Sequence, residues 1–337
     1  MFVLGIDIGK DDLHVHLLET TAEGPPKAKG QVRVVPNSLA GHQSLQDWLS
    51  AERALPQCTS VVMEATGVYW ERVAAALHAA HFAVSVVNAA QIKFFARSTL
   101  RRGKTDTMDA EIIARYGVTM HPARWMPTEK SLNELRALIH ERDTIVELTT
   151  IEKGRQHALD HRHEANPMAL QLSRDRTTLL CTQLEQINAA IALMTAVPGG
   201  LQEQLTLLAS VPGIGKLTAA ILLTETHHLD HLGSARQWAA YAGLSPAPRQ
   251  SGTMQGKTRI SKIGNARLRR ALYLSALSAS RLDNVLGDFY RHLVNKGKPK
   301  KVALIALARK ILCVCFAVLR SGHPFDPTFR SLAPQTP

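Results

Sequence analysis

Aromatic residues are scarce in this chain of 337 residues, in which Phe, Trp and Tyr together make up 5%. Proteins that bind single-stranded nucleic acid stack its bases on aromatic side chains, so the shortage argues against stacking as the main mode of binding. Cysteine is rare too. Four cysteines do not make a disulfide framework for a chain of this size, which favours a reducing cytosol.

Secretory and membrane segments are also missing. The N-terminal sequence MFVLGIDIGK has an early acid and no small-residue cleavage site, which excludes a signal peptide. The most apolar stretch, residues 302–319, is interrupted by Arg309 and Lys310, and we expect it to be too short and too charged to cross a bilayer. The sequence therefore predicts a cytoplasmic protein with no membrane partner.

Acidic residues are outnumbered, since 28 Asp and Glu face 40 Lys and Arg and the net charge is +12. Nearly all of the surplus lies in residues 247–301, where 13 basic residues accompany two acids. This basic window is typical of a surface that binds a nucleic-acid backbone, and a merely solvated face is the alternative. The predicted nucleic-acid contacts in and outside the window are Arg101, Arg102, Lys104, Lys216, Arg249, Lys257, Arg259, Lys262, Arg267, Arg269, Arg270, Lys298, Lys300 and Lys301.

The first 125 residues or so alternate between strand and helix patterns. Predicted strands cover residues 2–8, 13–17, 31–35, 60–63 and 82–87, and predicted helices cover 39–49, 68–80 and 107–118. The first three strands suggest an antiparallel meander. The order of elements is that of a ribonuclease-H-like α/β fold.

The middle of the chain is predicted to be helical. Residues 131–159 contain no proline and a single glycine, and an apolar seam follows the breaker Asn166-Pro167. The seam steps by four and three residues, as the a and d positions of a coiled coil do. Its members are Leu180, Leu184, Ile187, Ile191 and Met194. Packing within one chain and an intermolecular coiled coil are both open interpretations.

The C-terminal part is predicted to be mainly helical with glycine-rich turns. The sequence VPGIGK at residues 211–216 precedes an apolar helix and looks like a helix-hairpin-helix element, which holds a DNA phosphate on backbone N–H groups. A tight packing turn is the alternative. We predict four segments: residues 1–128, a metal-binding domain; 129–198, a helical coiled-coil dimerisation segment; 199–325, a C-terminal domain; and 326–337, a loose tail.

Four acids stand out by position. Asp7 lies in the first predicted strand and Glu64 ends the fourth, and these strands are neighbours in a ribonuclease-H-like sheet. Asp106 and Asp109 are three residues apart at the start of a helix and share a face. Converging carboxylates repel each other unless a divalent cation such as Mg²⁺ lies among them. Helix caps and surface acids are the alternative.

Basic and nucleophilic residues accompany the acids. Arg97 and the cluster from Arg101 to Lys104 precede Asp106 and suit a site that admits a polyphosphate. Ser251 lies inside the basic window. A serine hydroxyl is a weak nucleophile that needs a base or a metal, and no histidine lies near it in sequence. On local grounds Ser251 is one loop serine among several.

Seven motifs follow one another in a characteristic order. They are GIDIGK around Asp7, MEATGVYW around Glu64, RRGKTDTMDA around Asp106 and Asp109, SVPGIGKLTAA, ARQWAAYAGLSP, RQSGT at Ser251, and RISKIGNARLRRALY. In these motifs the chain resembles the DEDD transposases of bacterial insertion sequences, which are bridge-RNA-guided serine recombinases, and the related pilin-gene invertases. The resemblance covers residues 1 to about 325, with no departure at the motif acids or the serine.

The resemblance implies a mechanism. An N-terminal domain like that of Holliday-junction resolvases would bind one or two Mg²⁺ ions through Asp7, Glu64, Asp106 and Asp109. Ser251 would attack a DNA phosphodiester and form a covalent phosphoserine, in a site shared between subunits. A homodimer formed by the middle helices would assemble to a tetramer. A structured bridge RNA would pair with double-stranded target and donor DNA, in the bacterial cytoplasm at the nucleoid.

Other functions are also open. A junction resolvase would use the same acids with water as the nucleophile and would be indifferent to Ser251. A site-specific DNA invertase would use the same chemistry on a different arrangement of sites. An architectural DNA-binding or RNA-binding protein would need neither the acids nor the serine.

Overall fold

The computed structural model describes residues 1–20, 25–29, 31–99, 106–226, 233–247, 250–251, 254–255 and 259–328. Of residues 106–108, 250–251 and 254–255 it describes the backbone alone. The chain divides into two compact units, Met1–Pro127 and Thr128–Pro337.

The described residues of the N-terminal unit form six strands and four α-helices. They are β1 (Phe2–Ile8), β2 (Asp12–Glu19), β3 (Lys27–Ala28), β4 (Arg33–Pro36), α1 (Leu39–Ala51), β5 (Thr59–Glu64), α2 (Glu71–Ala79), β6 (Ala83–Val87), α3 (Ala89–Ser98) and α4 (Asp106–Met120). The prediction matches this order except that it missed β3 and α3.

The sheet has the order β3-β2-β1-β5-β6, with β4 also paired to β2. The central strand β1 is antiparallel to β2 and parallel to β5, and β5 is parallel to β6. This is the ribonuclease-H-like arrangement, so the predicted fold of the N-terminal part is confirmed. The antiparallel meander is confirmed as well, since β4 pairs antiparallel with β2.

Helices cover both faces of the sheet. Leu4 and Ile6 of β1 pack in a core with Leu45 of α1 and Leu77 of α2. Val3 of β1 points to the other face, where it packs with residues of α3 and α4. Because side chains alternate along a strand, Asp7 lies on the same face as Val3, the face that α3 and α4 cover.

The C-terminal unit is mainly helical. Its elements are α5 (Lys130–Asp160), α6 (Pro167–Ala196), α7 (Gly200–Ala209), α8 (Lys216–Glu225), α9 (Ala235–Tyr241), β7 (Pro246–Ala247), β8 (Gln250–Ser251), β9 (Met254–Gln255), β10 (Arg259–Ile260), α10 (Ala266–Ala279), α11 (Val285–Asn295) and α12 (Lys300–Ser321). The long helix predicted at residues 131–159 is α5. The four short strands were not predicted.

Helices α5 and α6 form an antiparallel hairpin. Arg142 of α5 donates to Asn188 near the end of α6, and Glu152 accepts a hydrogen bond from Ser173 near its start. Ile187 and Ile191 of the apolar seam are buried in the core of this unit, and the rest of the seam is half-buried against it. The seam therefore packs within the chain, as the first of the two interpretations has it.

Helix α12 corrects one expectation. With 22 residues it is long and apolar enough to cross a membrane by length and composition alone, so the stretch is not too short or too charged. One face of the helix, including Leu307, Ile311 and Cys315, is fully buried and packs against other helices of the C-terminal unit. A core helix of a globular domain needs the same apolar composition. Packing explains the apolar character of α12 here.

The VPGIGK turn joins α7 to α8. Gly213 has φ of 89°, and a Cβ there would lie 2.7 Å from the carbonyl oxygen of Ser275 in α10. Glycine at this position is thus required by packing, as the alternative interpretation has it. A DNA contact at this turn remains a prediction, and a helix-hairpin-helix element is not established.

Candidate active site

Two of the predicted acids lie at the ends of neighbouring strands. β1 and β5 are parallel, and Ile6 of β1 lies beside Met63 of β5. The next residue on each strand is an acid, so Asp7 and Glu64 also lie side by side. Both side chains are half-buried. Glu64 also lies on the same face of the sheet as Asp7, because Val62, two residues before it, packs in the core on that face.

Helix α4 brings the third acid to this edge. The helix packs directly on β1 at Gly5, where a Cβ would lie 2.3 Å from the carbonyl oxygen of Ala110. Only glycine permits so close an approach. Asp109 precedes Ala110 and lines the same cavity as Asp7 and Glu64. Asp106 begins α4, one turn earlier, and its side chain lies outside the described atoms.

The three acids line a cavity of about 1100 Å³. Their carboxylates supply the hard oxygen ligands that Mg²⁺ and similar cations prefer. Among the described residues, no group of three or more His, Cys, Asp or Glu side chains is drawn together closely enough to hold a metal ion. The donor type and the shared cavity fit a divalent cation, and Asp106 would complete the set of four.

Helix α3, which was not predicted from the sequence, supplies a wall of the cavity; its Arg97 was predicted to lie beside the acids, and its Lys93 was not. Lys93 and Arg97 lie one turn apart, are exposed and line the cavity with the acids. Neither cation has a hydrogen bond or an ion pair among the residues that the structure describes. Asn88 caps the helix, and its buried Ile92 packs with Ile112 and Ile113 of α4. Lys10, in the β1–β2 turn, also lines the cavity.

A histidine also borders the acids. His14 of β2 lies directly opposite Asp7 of β1 in the antiparallel pair, and it lines the cavity. Directly opposed residues point to the same face of a sheet. The strand pattern LHVHL together with the predicted antiparallel meander could therefore have predicted that His14 lies beside Asp7.

Ser251 lies in the C-terminal unit, on β8. It pairs with Met254 of β9, and the pair is nested inside a second pair in which Ala247 lies opposite Arg259. The serine therefore lies on the inner of two nested strand pairs. The hydroxyl itself lies outside the described atoms.

The predicted nucleic-acid contacts fall into three groups. Arg267 forms an ion pair with Asp143, and the guanidinium of Arg269 donates to the carbonyls of Ala242 and Lys262, so both cations have partners within the unit. Arg101, Arg102, Lys104, Arg249 and Lys257 lie outside the described residues. The exposed members are Lys216, Arg259, Lys262, Arg270, Lys298, Lys300 and Lys301.

Cys313 and Cys315 lie on α12 of the C-terminal unit, and Cys315 belongs to its core. Burial raises the pKa of the Cys313 and Cys315 thiols above its ordinary value. A thiol held protonated in this way is a poor nucleophile and a poor metal ligand.

Two family models match most of the chain. Residues 4–163 match a DEDD transposase model of the IS110 type, described as "Transposase", and residues 205–291 match the model "Transposase IS116/IS110/IS902 family".

Proteins similar in sequence to this chain are named as a gene-inverting protein and as a transposase. The pilin gene-inverting protein of Moraxella bovis is 32% identical over 86% of this chain and 89% of its own length. The transposase for insertion sequence element IS1328 of Yersinia enterocolitica is 25% identical over 96% of this chain and 98% of its own. Among solved structures, RuvC of Thermus thermophilus covers 37% of this chain and 99% of its own length, at 19% identity and a TM-score of 0.28.

Proposed function

The chain belongs to the IS110 family of insertion-sequence transposases and is a DNA-recombining enzyme, and we propose that it cleaves and rejoins DNA through a covalent phosphoserine at Ser251. The reaction depends on Mg²⁺ held by Asp7, Glu64, Asp106 and Asp109. The observation that carries this proposal is that Asp7, Glu64 and Asp109 line one cavity, whose wall bears two cations with no ion pair among the residues that the structure describes.

The acids and the serine have separate tasks. The acids hold the divalent cation, which when bound offsets the negative charge of the phosphodiester and of the attacking oxygen. Lys93 and Arg97 would attract the DNA backbone to a cavity that the acids alone would make repulsive. The Ser251 hydroxyl attacks phosphorus. A serine–phosphate bond forms as the bond between phosphorus and the sugar oxygen breaks, and that oxygen leaves as a hydroxyl with the proton that Ser251 loses.

Strand exchange then needs no external energy source. The sugar hydroxyl of another strand attacks the phosphoserine, the new phosphodiester forms, and Ser251 regains its proton. One phosphoester bond is made for each one broken, so the bond energy is conserved. A water-using nuclease would lose that energy at the first step, because hydrolysis leaves no activated phosphate.

Specificity in this proposal lies outside the protein. A structured bridge RNA would pair with the target and donor DNA, and the basic window would hold backbones without reading bases. The exposed residues Lys298, Lys300 and Lys301 support a backbone-binding role. The enzyme would act as a homodimer that assembles to a tetramer, on the bacterial nucleoid in the cytoplasm.

Site-specific inversion is the second candidate function. The 32% identity to a pilin gene-inverting protein over most of both chains favours it. The chemistry at Ser251 would be the same, and the two functions differ in the arrangement of the recombining sites. A plasmid assay with sites in inverted and in direct orientation distinguishes them.

Trapping on a denaturing gel tests the chemistry. Labelled DNA that spans an end of the element is incubated with Mg²⁺ and the flanking RNA. The wild type should leave a protein–DNA adduct, whereas Ser251→Ala and Asp7→Asn should leave none. Ser261→Ala, a serine of the same segment, is the matched control. Cleaved DNA without an adduct would mean that water is the nucleophile.

A further inference from the structure

Glu225, the last residue of α8, is a buried carboxylate that the proposed chemistry does not use. Its side chain is 3% exposed, and its Oε1 lies 2.5 Å from Nε2 of His140 on α5. Its Oε2 accepts a hydrogen bond of 2.5 Å from the side-chain amide of Asn265. Burial alone would raise the pKa of Glu225, but the hydrogen bonds from Asn265 and His140, with the charge of Arg136, lower it. The site is built for the charged form.

Two contacts of Glu225 lead to the segment that carries Ser251: its carboxylate contacts Asn265, and its backbone carbonyl contacts Tyr241. We call residues 243–264 the serine arm, which contains the nested pairs β7–β10 and β8–β9. Asn265 directly follows the arm, and Tyr241 precedes it by two residues. The Asn265 backbone N–H donates to the Tyr241 carbonyl at 2.7 Å, and the Tyr241 hydroxyl donates to the Glu225 carbonyl at 3.0 Å. Glu225 thus contacts the residues at both ends of the arm.

Further contacts close the base of the arm. Arg269 donates to the carbonyls of Ala242 and Lys262, at 3.3 and 3.2 Å, and so ties together the chain before the arm and its last turn. Gly264 has φ of 139°, and a Cβ there would lie 2.3 Å from the Tyr241 carbonyl oxygen. The base is therefore a fixed junction of hydrogen bonds, from which β7 and β10 extend toward Ser251.

We propose that Glu225 is a positioning residue for strand cleavage, whose carboxylate acts through Asn265 to hold the base of the serine arm. The inference rests on the proposed role of Ser251. A nucleophile on a hairpin must approach phosphorus in line, and a misplacement of about 1 Å can cost about 100-fold in rate. Without the carboxylate, the side-chain amide of Asn265 and the ring of His140 lose a shared acceptor, and the arm can pivot.

Glu152 provides a matched control. It is also a buried carboxylate that joins two helices of the same unit, and it accepts hydrogen bonds from Ser173 and Arg176. Among the described residues, its hydrogen-bond partners lie on α6 and not in the arm. Any effect that comes merely from losing a buried carboxylate should therefore be the same in Glu152→Ala and Glu225→Ala.

The experiment compares the full-length variants at saturating DNA with Mg²⁺ and the flanking RNA. We expect Glu225→Ala to form the serine adduct at least 10-fold more slowly, with less than a twofold change in the Kd for DNA measured in EDTA. Glu225→Gln keeps an acceptor for Asn265 and should restore part of the rate. Glu152→Ala should keep the wild-type rate. Equal slowing in the two alanine variants, or none in Glu225→Ala, would overturn the proposal.

Hydrogen–deuterium exchange provides a readout that needs no chemistry. Backbone amides at the base of the arm, such as those of Ser261, Lys262 and Asn265, should exchange at least 10-fold faster in Glu225→Ala and at the wild-type rate in Glu152→Ala. Unchanged exchange in Glu225→Ala would overturn the anchoring. If the wild type forms no adduct, the role of Ser251 fails, while exchange still decides whether Glu225 holds the arm. Glu225→Gln serves for both measurements if Glu225→Ala does not fold.

Discussion

At the scale of single residues, the buried and half-buried carboxylates divide by their surroundings. Glu152 accepts hydrogen bonds from Ser173 and Arg176, and Glu225 accepts one from Asn265. These hydrogen bonds fix both carboxylates as structural anions. Asp7, Glu64 and Asp109 instead face one another across a cavity. Carboxylates that line one cavity can share a divalent cation, which offsets their mutual repulsion. The two groups should respond differently to mutation and to pH.

Unfolding measured at acid pH tests the structural role of Glu152. Hydrogen bonds from Arg176 and Ser173 lower the pKa of Glu152 from 4.5 to about 2. Because the pKa is lower in the folded state, the stability that Glu152 supplies is complete above pH 4.5 and is lost as the pH falls toward 2. We expect Glu152→Gln to unfold at lower urea than the wild type at pH 7, and this gap to shrink between pH 4.5 and 3.

The control for this titration is Glu185→Gln, since Glu185 is an exposed carboxylate on the same hairpin. Its urea midpoint should follow that of the wild type at every pH. A gap between Glu152→Gln and the wild type that stays constant down to pH 3 would contradict the lowered pKa.

At the scale of elements, short α3 sets the electrostatic character of the candidate site. It has no acidic residue, and it directs Lys93 and Arg97 into a cavity of carboxylates. A phosphate backbone at this cavity can therefore contact two exposed cations beside the carboxylates. The helix is held by its buried Ile92 and by the Tyr116 hydroxyl, which donates to Gln91.

Removal of both α3 cations should weaken DNA binding in a salt-dependent way. Each lost phosphate contact lowers the slope of log K against log salt by about 0.9, so Lys93→Ala combined with Arg97→Ala should lower it by about two. The measurement is fluorescence anisotropy with duplex DNA in EDTA. Arg53→Ala, at the opposite edge of the sheet before β5, should leave the slope unchanged. An unchanged slope in the double variant would show that α3 does not contact DNA.

Element length decided what the sequence could predict. The 31 residues of α5 and the strands β1, β2 and β5 carry enough periods of hydrophobicity to be found. The strands β7 to β10 have two residues each, which is too short for any alternation to be visible. Helix α3 has ten residues, and only Asn88 at its cap and the spacing of Ile92, Phe95 and Ala96 signal it.

The candidate site could likewise be predicted only in part from the sequence. Asp7 and Glu64 could be placed together because strand order and alternation determine the face of each side chain. The approach of α4 to β1 depends on Gly5, which has no periodic signal. Lys93 was missed together with its helix. The partners of Glu225, Asn265 and His140, are 40 and 85 residues away in sequence, and no local sequence pattern predicts such contacts.

At the scale of the whole molecule, the residues of the proposed chemistry are divided between two units. The acids lie in residues 1–127, and Ser251 lies in residues 128–337 together with almost the whole surplus of positive charge. In the proposed mechanism the acids of one subunit act with the serine of another. This division has a consequence that can be measured in mixed oligomers.

Complementation tests the shared site. Asp109→Asn and Ser251→Ala should each be inactive alone, whereas co-expressed mixed oligomers should recover adduct formation, because one subunit still offers the acids and the other still offers the serine. Co-expression of Ser251→Ala with Asp7→Asn should behave in the same way. The pair Asp7→Asn and Asp109→Asn is the control and should stay inactive. Failure of every acid–serine pair to recover would place both functions in one subunit.

The most direct test of the central claim is to identify the residue that becomes attached to DNA. Adducts formed with Mg²⁺ would be digested with nuclease and protease, and the nucleotide-bearing peptide sequenced by mass spectrometry. The phosphoserine mechanism predicts a phosphodiester-linked nucleotide on Ser251 in the wild type and none in Asp7→Asn. A nucleotide on Ser245 or Ser261, or hydrolysed DNA ends with no modified peptide, would contradict it.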